Sequence, residues 1–177
     1  MIKVFIATSL DGYIADLNGS VDFLYDYPDI EGEDMGYQAF IDSVDALVMG
    51  RKTFETVLSF DVEWPYDLPV FVWSRQLKKV PTSLESKVHV VSGDPVEVVN
   101  QLKTLGFNTL YIDGGLTIRS FLEEDLVDEM TLTTIPVLLG SGIPLFISSE
   151  KKIPFICIAS RCFSNGVMQS IYRLKDK

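Results

Sequence analysis

The chain has 177 residues, 47% hydrophobic and 23% charged, with 15 basic and 25 acidic side chains and a formal net charge of −10. That is enough apolar material for one globular domain spanning 1–177 and too much for a disordered chain. The acidic balance lacks the basic stripe that nucleic-acid backbones require. The opening "MIKVFIATSLDGY" lacks the pattern of a signal peptide or membrane span, so the cytoplasm is the expected location.

"IKVFIAT" is β-rich and unbroken, which predicts a strand covered on both faces. Residues 9–31 follow, punctuated by "LDG", "LNGS" and "YPD", and a loop this long inside a domain is more often functional than idle. "EDMGYQAFIDSVD" reads as a helix with Met35, Phe40, Ile41 and Val44 as core positions. "ALVM" then reads as a short buried strand, "RKTFETVL" as the next helix, and "PVFVW" and "KVHVV" as two more strands. "DPVEVVNQLKTLGF" has helix grammar, with Asp94 as N-cap, Pro95 at the first helical position and Gly106 past the end. "TLYI" is a strand, "GGLTIRSFLEE" a helix, and "DEMTLTTIPVLL" a long strand that Pro136 bends or places at an edge. "FICIASRCFS" and "VMQSIYRL" flank Asn165 and Gly166, a strong hairpin signal. Alternation sends Cys157 and Cys162 to opposite faces about 16 Å apart, beyond disulfide reach, and both are expected to be reduced packing residues.

Strands alternating with helices imply an α/β fold with a mostly parallel central sheet, closed by an antiparallel C-terminal hairpin. Ligands of such sheets collect beyond the carboxyl ends of the strands, which puts "MGRKT", "WSR" and "IDGG" along one rim. Residues 4–50 hold ten acids and no base, whereas Arg51, Lys52, Arg75, Lys78 and Lys79 fall in two short segments at strand ends. A helix N-terminus favours an anion. Gly50 allows close backbone approach, Arg51 and Lys52 supply charge, Thr53 supplies a hydroxyl, and Gly114 and Gly115 form a second such turn. Two turns facing one crevice suit a pyrophosphate, and Ser74 and Arg75 suit a further phosphate. Neither G-x-G-x-x-G nor G-x-x-x-x-G-K-[ST] is present, which disfavours an ordinary Rossmann enzyme or a P-loop hydrolase. His89 sits mid-strand without a G-x-S-x-G elbow, and one His with two separated Cys implies no metal site.

"IATSLDGYIA", "DALVMGRKTFE", "VFVWSR", "LYIDGG" and "VDEMTLTTIPVLLGSGIPLF" together resemble the dihydrofolate reductase superfamily over nearly the whole chain. Within it, "SLDGYIA" and "PVLLGSGIPLF" look like the branch related to the reductase domain of bacterial riboflavin biosynthesis. The resemblance implies a dihydrofolate reductase-like three-layer fold, NADPH as cofactor, and a homodimer. It also implies hydride transfer to a pteridine or pyrimidine-like substrate, most like 5-amino-6-(5-phosphoribosylamino)uracil. By resemblance, Ala7 and Ile14 border the nicotinamide, and the turn of Asn18, Gly19 and Ser20 is a flap over it. Gly50, Arg51, Lys52 and Thr53 take phosphates, Ser74 and Arg75 the 2′-phosphate, and Gly114 and Gly115 the pyrophosphate, with Ile112 beside them among the cofactor residues.

Counting back fifteen residues from Met49 makes Asp34 the proton donor by resemblance, with Asp22 as alternative. An acid at Asp34 also fits the first turn of a helix for purely structural reasons. The folate family's "PW" and "LP" signature is missing, which leaves dihydrofolate or pterin reduction as an alternative activity and a noncatalytic NADPH-binding module as a second. Tyr25, Tyr27, Trp64 and Tyr66 suit stacking on a planar heterocycle or anchoring a dimer contact. With no cation in residues 4–50, an anionic substrate would turn to Arg119 or Lys151.

Overall fold

The structure, a computed structural model, describes residues 1–27, 30–60 and 62–175, so Pro28 and Asp29 of the expected "YPD" turn lie outside it. In chain order the strands are β1 (Ile2–Ser9), β2 (Tyr13–Ala15), β3 (Ala46–Gly50), β4 (Val70–Trp73), β5 (Val88–Val91), β6 (Leu110–Asp113), β7 (Glu129–Ile135), β8 (Ile143–Pro144), β9 (Phe155–Cys162) and β10 (Met168–Leu174). The helices are α1 (Tyr37–Ile41), α2 (Arg51–Ser59), α3 (Pro95–Thr104) and α4 (Gly115–Glu123). Eight strands form one sheet in the order β5-β4-β3-β6-β1-β7-β10-β9, while β2 and β8 pair separately. The first six of the eight run parallel, and β10 and β9 close the sheet antiparallel.

Side-chain alternation sorts the core into two layers. Ile2 and Val4 of β1, Ala46 and Val48 of β3, Phe71 of β4 and Leu110 and Ile112 of β6 point to a first face. There α3 and α4 cover them with Val98, Leu102, Ile118 and Phe121. Leu47, Met49, Val70, Val72 and Tyr111 point to the second face, under Phe40 and Ile41 of α1 and Phe54 of α2. The result is the expected three-layer arrangement, with helices on both sides of a mostly parallel sheet.

Local signals explain the well-marked elements. α3 starts with a reciprocal capping box: Glu97 N–H donates to Asp94 Oδ1 at 2.8 Å, and Asp94 N–H donates to Glu97 Oε2 at 3.0 Å. The hairpin loop closes as Phe163 N–H donates to Val167 C=O at 2.8 Å, with Gly166 at φ 86°.

Four expectations change. The helix read over 33–45 shrinks to α1, because Met35 (φ 54°) and Gly36 (φ 79°) are left-handed just before it. β7 ends at Ile135: Pro136 has no N–H to give a strand flanked on both sides by β1 and β10, so it stops the strand rather than bending it or marking an edge. Cys157 and Cys162 are free but exposed on the edge strand β9, where no layer covers them for packing. Residues 9–27 of the expected loop are not plain loop but contain β2 and a 3-10 turn at Asp22–Leu24.

Candidate functional site

Because β1, β3, β4, β6 and β7 are parallel, their carboxyl ends share one rim. β3 and β6 are neighbours in the sheet, yet their connections leave in opposite directions. β3 runs through α2 on the second face toward β4, and β6 runs through α4 on the first face toward β7. Such a switch point opens a crevice between the two connections. The turns on either side of it are Gly50–Arg51 and Gly114–Gly115.

These turns face each other closely. A Cβ on Gly114 would run into Thr53 Oγ1, and a Cβ on Gly50 would lie 2.9 Å from Thr117 Oγ1. Gly114 also holds φ 90° and ψ 131°, a conformation L-residues avoid. The crevice wall is therefore bare backbone and two threonine hydroxyls, with helix N–H groups from α2 and α4 left without intrahelical partners. Lys52 and Arg75 are exposed and have no ion-pair partner among the described residues, whereas Arg51 is paired with Glu55 at 2.6 Å. Ser74 Oγ accepts N–H bonds from Gln76 and Leu77, both at 3.1 Å, and so shapes the turn that carries Arg75. The Ile112 side chain is wholly buried under α4, so only its backbone reaches the rim.

The other predicted contacts lie at the β1 end. Ala7 pairs in register with Thr133, and Ile14 of β2 places its Cδ1 2.5 Å from where a Gly115 Cβ would be. The Gly19 turn is tied by Asp16, whose Oδ1 accepts from Asn18 N–H at 2.7 Å and Ser20 N–H at 2.8 Å.

On the second face of this rim stands a residue without an assigned role so far, Asp113, the last of β6. Burial pushes its carboxyl up to about 6, against a partial lowering by the Gly114 N–H, which donates to Oδ1 at 2.7 Å. Three phenols surround it. Burial, then the Asp113 charge, raises Tyr37, Tyr66 and Tyr111 above the ordinary tyrosine value. Tyr111 donates to Phe5 C=O at 3.0 Å. Phe5 lies 5.6 Å from Tyr37 and 4.9 Å from Phe40, forming an aromatic floor, while Trp64 sits 5.3 Å from Tyr66 with a buried Nε1 that has no partner among the described residues. Asp113 was visible as the only charge in "LYIDGG", at the end of an apolar strand. The phenols had no comparable signal, because only the tertiary fold brings them together.

Asp34 is committed elsewhere. Its oxygens accept from Gly36 N–H and Gln38 N–H, both at 2.8 Å, and those bonds hold its carboxyl below the usual range. Asp22 lies in the 3-10 turn, where its own N–H donates to Ser20 Oγ at 3.1 Å. Of the loop aromatics, Tyr25 is exposed and Tyr27 donates to Pro136 C=O at 2.8 Å. Arg119 and Lys151 do meet, but at a cavity of about 300 Å³ on the first face, with Leu122, Met130 and Phe155. Among the described residues no His, Cys, Asp and Glu cluster could hold a metal, and no helix is long and apolar enough to cross a membrane.

Comparison with known proteins adds a family to this geometry. A model of the RibD C-terminal domain matches residues 1–168. Two Bacillus subtilis proteins of uncharacterised function, YyaP and YwjB, are 31% and 36% identical over 94% and 85% of this chain and 91% and 86% of their own. A crystal structure from Shewanella sp. PV-4, provisionally named a riboflavin biosynthesis protein, is 49% identical with a TM-score of 0.95, over 98% of both chains. A Thermotoga maritima diaminohydroxyphosphoribosylaminopyrimidine deaminase/5-amino-6-(5-phosphoribosylamino)uracil reductase shares the fold at 15% identity and a TM-score of 0.75. It aligns with 98% of this chain and 56% of that one.

Proposed function

Because the chain belongs to the RibD C-terminal domain family, we propose that it is an NADPH-dependent reductase of a small pyrimidine or pteridine-like heterocycle. The observation that carries this reading is the pair of glycine turns facing each other across the β3/β6 switch point, where side chains would not fit and helix N–H groups are free. These residues suit a dinucleotide. Gly50, Thr53, Gly114, Gly115 and Thr117 would line the pyrophosphate, and Lys52 with the Ser74–Arg75 turn would meet the 2′-phosphate. Ala7, Ile14 and the Gly19 turn would border the nicotinamide.

The cofactor, when bound, supplies the hydride. The chain's own task is to hold the acceptor over Phe5 and Phe40 and to deliver a proton. We assign the proton to Asp113 in preference to Asp34. A carboxyl pushed to about 6 stays protonated in roughly a tenth of molecules at pH 7 and can exchange its proton there, whereas one kept ionised by two backbone N–H bonds carries almost none. The commitment of Asp34 also weakens the alternative of dihydrofolate reduction. On this reading the enzyme acts in the cytoplasm as a homodimer. The exposed edge strand β9 supports the dimer, with Ile156 and Ile158 50% and 44% exposed.

Calorimetric titration with NADPH and NADH at low salt tests the cofactor. NADPH is expected to bind more tightly. Arg75→Ala should cost NADPH about ten- to a hundredfold in affinity, the worth of one charge-assisted hydrogen bond, and leave NADH nearly unchanged. Binding of neither nucleotide would remove this reading.

A further inference from the structure

We propose that the acceptor site takes an unphosphorylated heterocycle, a free base or nucleoside, and disfavours the corresponding phosphate ester. This inference rests on the reductase reading and concerns only the acceptor side of the crevice. Besides the groups on β1, α1, β6 and Tyr66 already described, three segments flank that side: residues 10–27 and 30–36 beyond β1, residues 136–142 beyond β7, and residues 163–167 between β9 and β10. They contain Asp11, Asp16, Asp22, Asp26, Glu31, Glu33 and Asp34 among the described residues, and none contains a lysine or arginine.

The flanking cations are already used or lie elsewhere. Arg161 pairs with Glu33 at 2.6 Å and stacks 4.4 Å from the Phe163 ring centroid. Lys3, at the opposite end of β1, meets Ser43 and Glu129. Arg51 and Lys52 begin α2 at the nucleotide turns, and Arg119 and Lys151 line the first-face cavity. Asp11 and Asp34 are kept ionised by hydroxyl and backbone donors, so their charges persist at neutral pH.

A phosphate needs charge-assisted donors. What this side offers instead is neutral or acidic: the Tyr37 and Tyr66 hydroxyls and Asp113 Oδ2, none with a hydrogen-bond partner among the described residues, with Tyr37 edge-on to the Phe5 ring and Tyr66 edge-on to Trp64. Such groups match the N–H and amino edges of a planar heterocycle. A phosphate dianion would find two neutral hydroxyls and no cation there, and the carboxylates would repel it.

The test is calorimetric titration of the protein, alone and with NADPH, with 5-amino-6-(5-phosphoribosylamino)uracil and with the same compound after phosphatase treatment. The dephosphorylated form is expected to bind more tightly by about tenfold or more. Glu33→Ala, which frees Arg161, should narrow that ratio. Equal or tighter binding of the phosphorylated form, or binding of neither, would overturn the proposal. A nucleoside preference without NADPH binding would overturn the cofactor reading and leave this inference standing, and the reverse pattern would do the opposite.

Discussion

Partly burying Asp113 among phenols costs folding free energy whenever its carboxyl is ionised. Its folded value of about 6 lies above the ordinary 3.8, so between these values the folded chain binds more protons than the unfolded one. The Asp113 contribution to stability is therefore most favourable below pH 3.8, falls as pH rises through 6, and above that carries the full cost of roughly 2 to 3 kcal/mol. Asp113→Asn keeps the shape and removes the charge. It is expected to stabilise the protein by about that amount at pH 7.5 and by little at pH 4, while lowering turnover by about a hundredfold or more if Asp113 delivers the proton. Urea denaturation at the two pH values, paired with kcat, checks both halves. A gain in stability that does not change with pH would show that Asp113 does not titrate in this window. At this scale the sequence was informative about the glycine turns proposed to hold the nucleotide, whose glycine and cation identities can be read directly. It was less so about the acid, because Asp34 and Asp113 differ in burial and hydrogen bonding rather than in residue type.

Among the elements, the Gly114 turn is the least tolerant. With φ 90° and Thr53 Oγ1 in the way, Gly114→Ala meets both backbone strain and a clash. The expected loss is about 1 to 3 kcal/mol by urea denaturation. Adding Thr53→Ala should return only part of it, since the second change relieves the clash and not the φ. Full recovery would show that the clash alone matters. Element boundaries were legible where a local rule decides them. Asp94 and Pro95 announced α3, and each strand that runs into a glycine turn and a helix was plain in its pattern. The boundary of α1 was not legible: "EDMGYQAFIDSVD" has helical periodicity, and nothing local forces Met35 and Gly36 into left-handed conformations. Pro136 was legible as an interruption of β7, but whether it bent the strand, marked an edge or ended it depended on which strands lay beside it.

For the whole molecule, alternating strands and helices pointed to a parallel sheet, but the strand order has no local signature and came only with the structure. That order leaves β9 at one edge. It is eight residues long, without lysine or proline, and only Arg161 carries charge, so few of the usual guards against pairing are present. Light scattering at micromolar concentration is expected to give a dimer, and Ile158→Lys should shift it toward monomer; a wild-type monomer would dismiss the assembly. The same order has a consequence for synthesis. β1, made before the other described strands, sits between β6 and β7, with Ile2 opposite Leu110 and Val4 opposite Met130. At about 5 to 20 residues per second, a nascent chain carries this apolar segment without either neighbour for several seconds at least. The central seam of the sheet can close only after most of this domain has left the ribosome, which makes its folding a late, long-range event and gives chaperones a defined interval in which to act.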